Sequence, residues 1–171
     1  QRTVHSLQLQ DNTWVVAQLA NYPGRPFCTA ASTVCGAELF VFGGANWDEK
    51  TKDAPNAGVV NSNEAFAFSG ITSKWRPLEP MPFAARGMAA ISLDNERIYL
   101  AGGYKSDPEG FTAEAFIYDA TAGAYSPARP LPYAASVSLV IHDGFLYCIG
   151  GEDMKKHRSD AFFRIKADAL Q

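Results

Sequence analysis

The sequence predicts an all-β fold: a β-propeller segment of about three blades of four antiparallel strands, about half of a six-bladed ring. Three observations predict it. Gly-Gly pairs at 43–44, 102–103 and 150–151 each close an apolar run, "LFVFGG", "IYLAGG" and "LYCIGG". Upstream of each run stands an aromatic followed by a proline-rich turn, in "TWVVAQLANYPGRPF", "KWRPLEPMPFAAR" and "AYSPARPLPYAAS". Downstream of each pair come a variable loop and a similar strand, "NEAFAFSG", "AEAFIYDA" or "SDAFFRIK". Self-similarity of this kind marks repeated architectures.

Each unit reads as four short strands, seen best in the middle one. Strand one is Gly87–Leu93, strand two Arg97–Ala101, strand three Glu114–Tyr118, and strand four lies around Tyr125. No segment sustains a capped helical period, so helix content is expected to be close to nil. Strand one is rich in small residues ("TAASTVC", "GMAAISL", "SVSLVI"), which suits the crowded innermost position. Strand two is apolar throughout, as expected where both faces are covered. Strand four opens with Trp or Tyr, large enough to fill the wide outer gap between wedge-shaped blades. Asp94-Asn95 and Asp143-Gly144 read as hairpin turns. The units run over about 3–44, 63–103 and 113–151 with a last strand at 160–166, and the unequal spacing comes from one longer loop, 45–62. A period near fifty residues with Gly-Gly and a downstream aromatic resembles kelch repeats.

The strand count is two at the N-terminus (3–9 and 13–18), then four, four and three. Propellers close with about 4–8 blades, so this segment is expected to leave two apolar sheet faces uncovered. The remainder of the ring is expected from a preceding segment or a second copy of the chain, and an outer strand for the last blade from elsewhere.

The 171 residues are 47% hydrophobic and 19% charged, enough for a buried core. A net charge of −3, with no basic cluster beyond "KKHR", argues against nucleic acid as the partner. The longest apolar runs are too short to span a bilayer, so no membrane partner is expected, and the first ten residues lack the pattern of a signal peptide. Cys28, Cys35 and Cys148 form no metal-binding spacing. Cys28 and Cys35 lie around one strand on opposite faces, which disfavours a disulfide between them. No metal or other cofactor is expected.

In a propeller, loops joining strands two and three open on the same face as those joining strand four to the next strand one. That rule gathers Glu152, His157 and Arg158 with Arg25, Arg86, Trp47 and Tyr104 at one mouth of the axial channel. Arginine holds carboxylates with paired donors, aromatic faces cover sugar rings, and a Glu can transfer protons if partial burial raises its pKa. Such a mouth suits a small anionic, ring-shaped ligand. The plainer reading is that these are solvated loop charges. Arg25 and Arg86 are read as occupying equivalent repeat positions just before strand one, which favours a structural role. His157 reads as exposed. Glu64, Glu114 and Asp160 recur at the start of strand three, where a fold-keeping hydrogen bond is the better reading.

The order "TWVVAQLANYPGRPF…ELFVFGG", "KWRPLEPMPFAARGMAA…AGG", "GGEDMKKHRSDAFF" resembles the N-acetylneuraminate epimerases, bacterial kelch-type sialic acid mutarotases. In that family a Glu shortly after the third blade's Gly, and an Arg six residues later, are implicated in catalysis. The resemblance implies Glu152 and Arg158 as that pair, a sugar acid as substrate, no cofactor, and a periplasmic or otherwise extracytoplasmic location. It covers three of six blades, and a chain ending here resembles the circularly permuted branch. "GGED" stands where the family has "GE", and the intervening loop is Lys-rich where the family has Gly and Pro. Three other readings share the fold: a protein-interaction kelch domain whose arginines grip an acidic peptide, an accessory propeller of a sialate esterase, and a copper enzyme of the galactose-oxidase type. The last needs a Tyr/His/Cys ligand group, which the scattered histidines do not suggest. The long loop 45–62 fits a lid or an interaction surface.

Overall fold

The computed structural model describes residues 2–25, 28–51, 53 and 58–170. The N-terminal hairpin pairs β1 (His5–Gln10) with β2 (Thr13–Gln18). Blade one is β3 (Ala31–Cys35), β4 (Glu38–Phe42), β7 (Ala65–Ser69) and β8 (Lys74–Pro77), hydrogen-bonded in that order. Blade two repeats it with β9 (Ala89–Ser92), β10 (Arg97–Ala101), β13 (Ala115–Asp119) and β14 (Ala124–Pro127). Blade three has β15 (Ser136–His142), β16 (Phe145–Met154) and β17 (His157–Lys166), followed by a 3-10 turn, Ala167–Leu170. All pairings are antiparallel, and no α-helix occurs among the described residues.

Two short hairpins add strands that the repeat does not predict: β5 (Ala45–Trp47) with β6 (Val59–Asn61), and β11 (Tyr104–Ser106) with β12 (Gly110–Phe111). They extend the turns after the first two Gly-Gly pairs. Residues 52 and 54–57 of the long 45–62 loop lie outside the described residues.

The innermost strands β3, β9 and β15 neighbour one another around the axis, as the small residues of strand one predict. In the middle blade, strand two is buried on both faces with a two-residue period. In β10, Ile98 and Leu100 join a core with Phe40 and Phe42 of blade one, Met81 of the linker and Tyr118 of β13. Tyr99 and Ala101 join the core shared with Leu131, Leu146 and Cys148 of the blade-three side. One strand therefore cements two interfaces.

The strand-four aromatics lock each blade to the turn that leads into it. Trp75 Nε1 donates to Ala20 O at 2.9 Å, and Tyr125 Oη donates to Glu79 O at 3.0 Å. Burial pushes the Tyr125 phenol above its ordinary pKa. Tyr125→Phe keeps the ring and loses this bond, so it is expected to cost about 1 kcal/mol, read as a lower urea midpoint with an unchanged m-value. In blade three, Arg129, the counterpart of Ala20 and Glu79, accepts from Tyr99 Oη at 2.8 Å and donates its N–H to Leu170 O at 2.9 Å. Leu170 is buried in that core.

Large apolar side chains are exposed at both ends of the segment: Leu7, Leu9, Trp14 and Val16 on the β1–β2 hairpin, and Val140, Ile149, Phe162 and Phe163 on blade three. The described chain is thus part of a propeller with two uncovered faces.

One repeat alignment is corrected by the register. Ala101 faces Ala115, and its counterpart Ile149 faces Phe162. Ala161, not Asp160, therefore takes the place of Glu114. A one-residue slip exchanges the faces of a strand, and the register shift between Ile149 and Gly151 lies beside this stretch. The conserved backbone feature of this position is the carbonyl: Glu64 O and Glu114 O accept from Gly43 and Gly102 N–H. The Glu114 carboxylate instead takes Lys105 Nζ at 3.0 Å.

Candidate functional site

Three cross-strand pairs mark one face of the blades: Cys28 with Ala45, Arg86 with Tyr104, and Ser136 with Glu152. In each, the second residue directly follows a Gly-Gly pair. The glycines make this possible. Gly151 has φ +108, and a Cβ built on it would lie 1.9 Å from Ser136 O, so only glycine lets the backbones approach this closely. Glu152 is carried to the rim by that approach.

These pairs correct a second alignment. The register equivalent of Arg86 is Cys28, and Arg25 sits three residues earlier, in the turn. The first linker is one residue longer, Tyr22 to Cys28 against Met81 to Arg86, and Arg25 stands three residues after Tyr22 where Arg86 stands five after Met81. The shared structural role for Arg25 and Arg86 therefore does not hold.

Past Gly151 the chain does not form a loop. β16 and β17 continue as a long hairpin with register shifts, and the turn is made at Lys155-Lys156, where Lys156 has φ +66. Glu152 and Arg158 face each other across it. Arg158 Nη1 lies 3.1 Å from Glu152 Oε2, and Lys156 N–H donates to Glu152 Oε1 at 3.1 Å. The Lys156 N–H first, and then Arg158, hold the Glu152 carboxyl below its ordinary range. The conditional expectation of a burial-raised pKa is thus reversed: in this hairpin the Glu152 carboxyl is held low by its partners.

Glu152 lines a cleft of about 350 Å³ with Arg86, Tyr104, Asp107, Lys155 and Thr29, at the lower end of small-molecule sites at roughly 300–1,000 Å³. The Arg86 guanidinium stacks over the Tyr104 ring at 4.3 Å and donates to Asn61 Oδ1 at 2.9 Å. Tyr104 Oη donates to Asp107 Oδ1 at 2.6 Å. That hydrogen bond, with Lys155 nearby, keeps Asp107 low, and it pushes the Tyr104 phenol up.

The single mouth expected from topology divides in two. Glu152, Arg86 and Tyr104 share the cleft just described. Arg25 and Trp47 line a second cleft of about 660 Å³ with Asn61, Asn63 and Glu64. Arg158, largely exposed, reaches the first cleft through Glu152. His157 is exposed and bonded through Nδ1 to Asp153, whose carboxyl it holds low. Asn61, Asp107 and Lys155 are the residues that sequence reasoning misses. Asp107 and Lys155 lie in the right loops by strand order. Nothing in the sequence marks Asn61.

No family model matches the chain. Among curated proteins it is similar to Kelch-like protein 41 of Mus musculus, 28% identical over 127 residues, covering 74% of this chain and 20% of that protein. It is also similar to Kelch-like protein 35 of Mus musculus, 28% identical over 163 residues, covering 95% of this chain and 25% of that protein. The chain thus spans a fifth to a quarter of the length of these relatives. Among solved structures it superposes on that of YjhT with a TM-score of 0.83 at 18% identity, covering 96% of this chain and 55% of that one. This likeness shows the fold, a kelch-type β-propeller.

Proposed function

We propose that this propeller segment binds a sugar acid and that Glu152 and Arg158 interconvert the anomers of N-acetylneuraminate. The observation that carries the reading is the Glu152–Arg158 pair itself: a carboxylate and a guanidinium at facing positions, beside a cleft rimmed by Arg86 and Lys155. The spacing of the pair is the one that the resemblance to the mutarotases implies.

In the proposed reaction the sugar's carboxylate draws Arg158 away from Glu152. Glu152 takes the proton of the anomeric hydroxyl. The C2–ring-oxygen bond breaks as C2=O forms, and the proton passes from Glu152 to the ring oxygen. Rotation about C2–C3 and closure on the other carbonyl face reverse these steps. Nothing is oxidised or reduced, and Glu152 ends as it began. The uncovered faces of the β1–β2 hairpin and blade three are where the rest of the ring, a preceding segment or a second copy, would pack.

The test is proton NMR of anomer exchange in N-acetylneuraminate with the protein present, corrected for the spontaneous rate. Wild type is expected to accelerate exchange, and the acid limb of its kcat/KM profile should lie lower than that of an unpartnered carboxylate, because the Lys156 N–H and Arg158 hold Glu152 low in the free protein. In Arg158→Ala one of the groups that hold Glu152 low is gone. Its carboxyl then titrates at higher pH and the acid limb of the rate profile moves up. An acid limb that stays in place would separate Arg158 from Glu152.

A second reading is favoured by the similarity to Kelch-like proteins: a protein-interaction surface in which Arg86, Lys155 and Arg158 grip acidic side chains of a peptide. In that case acidic peptides bind, and anomer exchange proceeds at its spontaneous rate.

A further inference from the structure

We infer that the two clefts are adjoining subsites of one groove divided by Asn61, and that the ligand is a dimer of acid sugars whose reacting unit occupies the Glu152 cleft. This rests on the sugar-acid reading above and extends it. Asn61 lines the second cleft and bonds Arg86 and Tyr104, which line the first. Its Oδ1 accepts from Arg86 Nη1 at 2.9 Å, and its Nδ2 donates to Tyr104 O at 2.8 Å and to Lys105 O, all on the side of the first cleft. One amide side chain therefore separates the Arg86–Tyr104 stack from the space in front of Trp47.

The second cleft carries its own set of sugar-binding groups. The Trp47 indole is 59% exposed, a flat apolar face for the C–H side of a pyranose. Arg25 offers paired donors for a carboxylate. Asn63 and Glu64 supply the amide and carboxylate that hydroxyls need. A cleft of about 660 Å³ beside one of about 350 Å³ gives room for two rings in a row. A mouth built for one small sugar needs only the first.

The chemistry limits the linkage. Ring opening in the Glu152 cleft requires a free anomeric hydroxyl on the unit bound there. The neighbouring unit must then be attached through another hydroxyl of the reacting unit, as in an α2,8-linked dimer. The reaction that supplies such a substrate is hydrolysis of an acid-sugar polymer, which releases a reducing end.

Titration calorimetry of the chain with N-acetylneuraminate and with its α2,8-linked dimer tests this. The dimer is expected to bind about tenfold more tightly than the monomer, which corresponds to 1.4 kcal/mol. That advantage is expected to disappear in Trp47→Ala and to shrink in Arg25→Ala. Equal affinities for the two sugars in wild type, or an advantage that persists in Trp47→Ala, would overturn the two-subsite groove and leave the sugar-acid reading standing. Binding of neither sugar would overturn both, and binding of an acidic peptide instead would point to the protein-interaction reading.

Discussion

Gly151→Ala is expected to destabilise the fold by about 3–5 kcal/mol, the range of severe backbone and packing errors. At φ +108 a side chain is strained whatever space surrounds it. Here the space is missing too. The new Cβ would meet Ser136 O at 1.9 Å, Ser136 C at 2.8 Å and Val137 Cα at 3.0 Å. All three atoms are backbone of β15, the innermost strand of the blade, so no rotamer change relieves the contact. β15 can retreat only by giving up its pairing of Ser136 with Glu152, and β15 also packs beside β9. Gly110→Ala is the matched control: φ is +75 there, and a Cβ would meet nothing within 4 Å. It carries the conformational cost alone, about 1 kcal/mol. Urea unfolding of the two variants separates strain from close approach, and equal losses would mean that the approach of β15 to β16 is not what fixes glycine at 151.

The same contrast explains what was legible in the sequence. Gly-Gly pairs, small residues in strand one and a strand-four aromatic each answer a backbone or volume demand that every blade repeats, so the demand is visible as a pattern. β10 was readable residue for residue because it is covered on both faces, and Arg97–Ala101 shows this as an unbroken apolar stretch after the arginine. Registers were less legible. Arg25 and Arg86 both stand in proline-rich linkers, yet Arg25 lies three residues before Cys28, the register equivalent of Arg86, and the irregular pairing at Ile149–Gly151 made Asp160 look like Glu114. Pattern matching tolerates a one-residue slip; hydrogen-bond ladders do not.

The site was legible in part, and for a physical reason. Strand order alone carries Glu152, Arg86 and Tyr104 to one rim. It cannot say that the Asn61 amide would bond both Arg86 and the β11 backbone and so divide the mouth, because that depends on where one side chain points. Nor could composition give the sign of the Glu152 shift. Proximity to solvent was foreseeable, but a donated Lys156 N–H depends on a tight turn with Lys156 at φ +66, a conformation uncommon for residues other than glycine.

Glu152→Gln is expected to slow protein-dependent anomer exchange by about 10²–10⁴-fold, the usual loss when a positioned general base is removed. The substitution keeps the shape of the side chain and an oxygen that can accept from Lys156 N–H, but it removes the charge and the basic site. The fold should survive. The pair with Arg158 is exposed, with side-chain accessibilities of 34% and 69%, and exposed pairs contribute little to stability. Urea unfolding should therefore overlay that of wild type while exchange by proton NMR collapses to its spontaneous rate. Binding divides differently from rate. With the Glu152 charge gone, Arg158 loses its resident anion and is open to the substrate carboxylate, so N-acetylneuraminate should bind Glu152→Gln at least as tightly as wild type. A variant that binds well and exchanges slowly identifies Glu152 as the proton-transferring group. A variant that exchanges at the wild-type rate shows that the proton moves by another route and removes Glu152 from the mechanism.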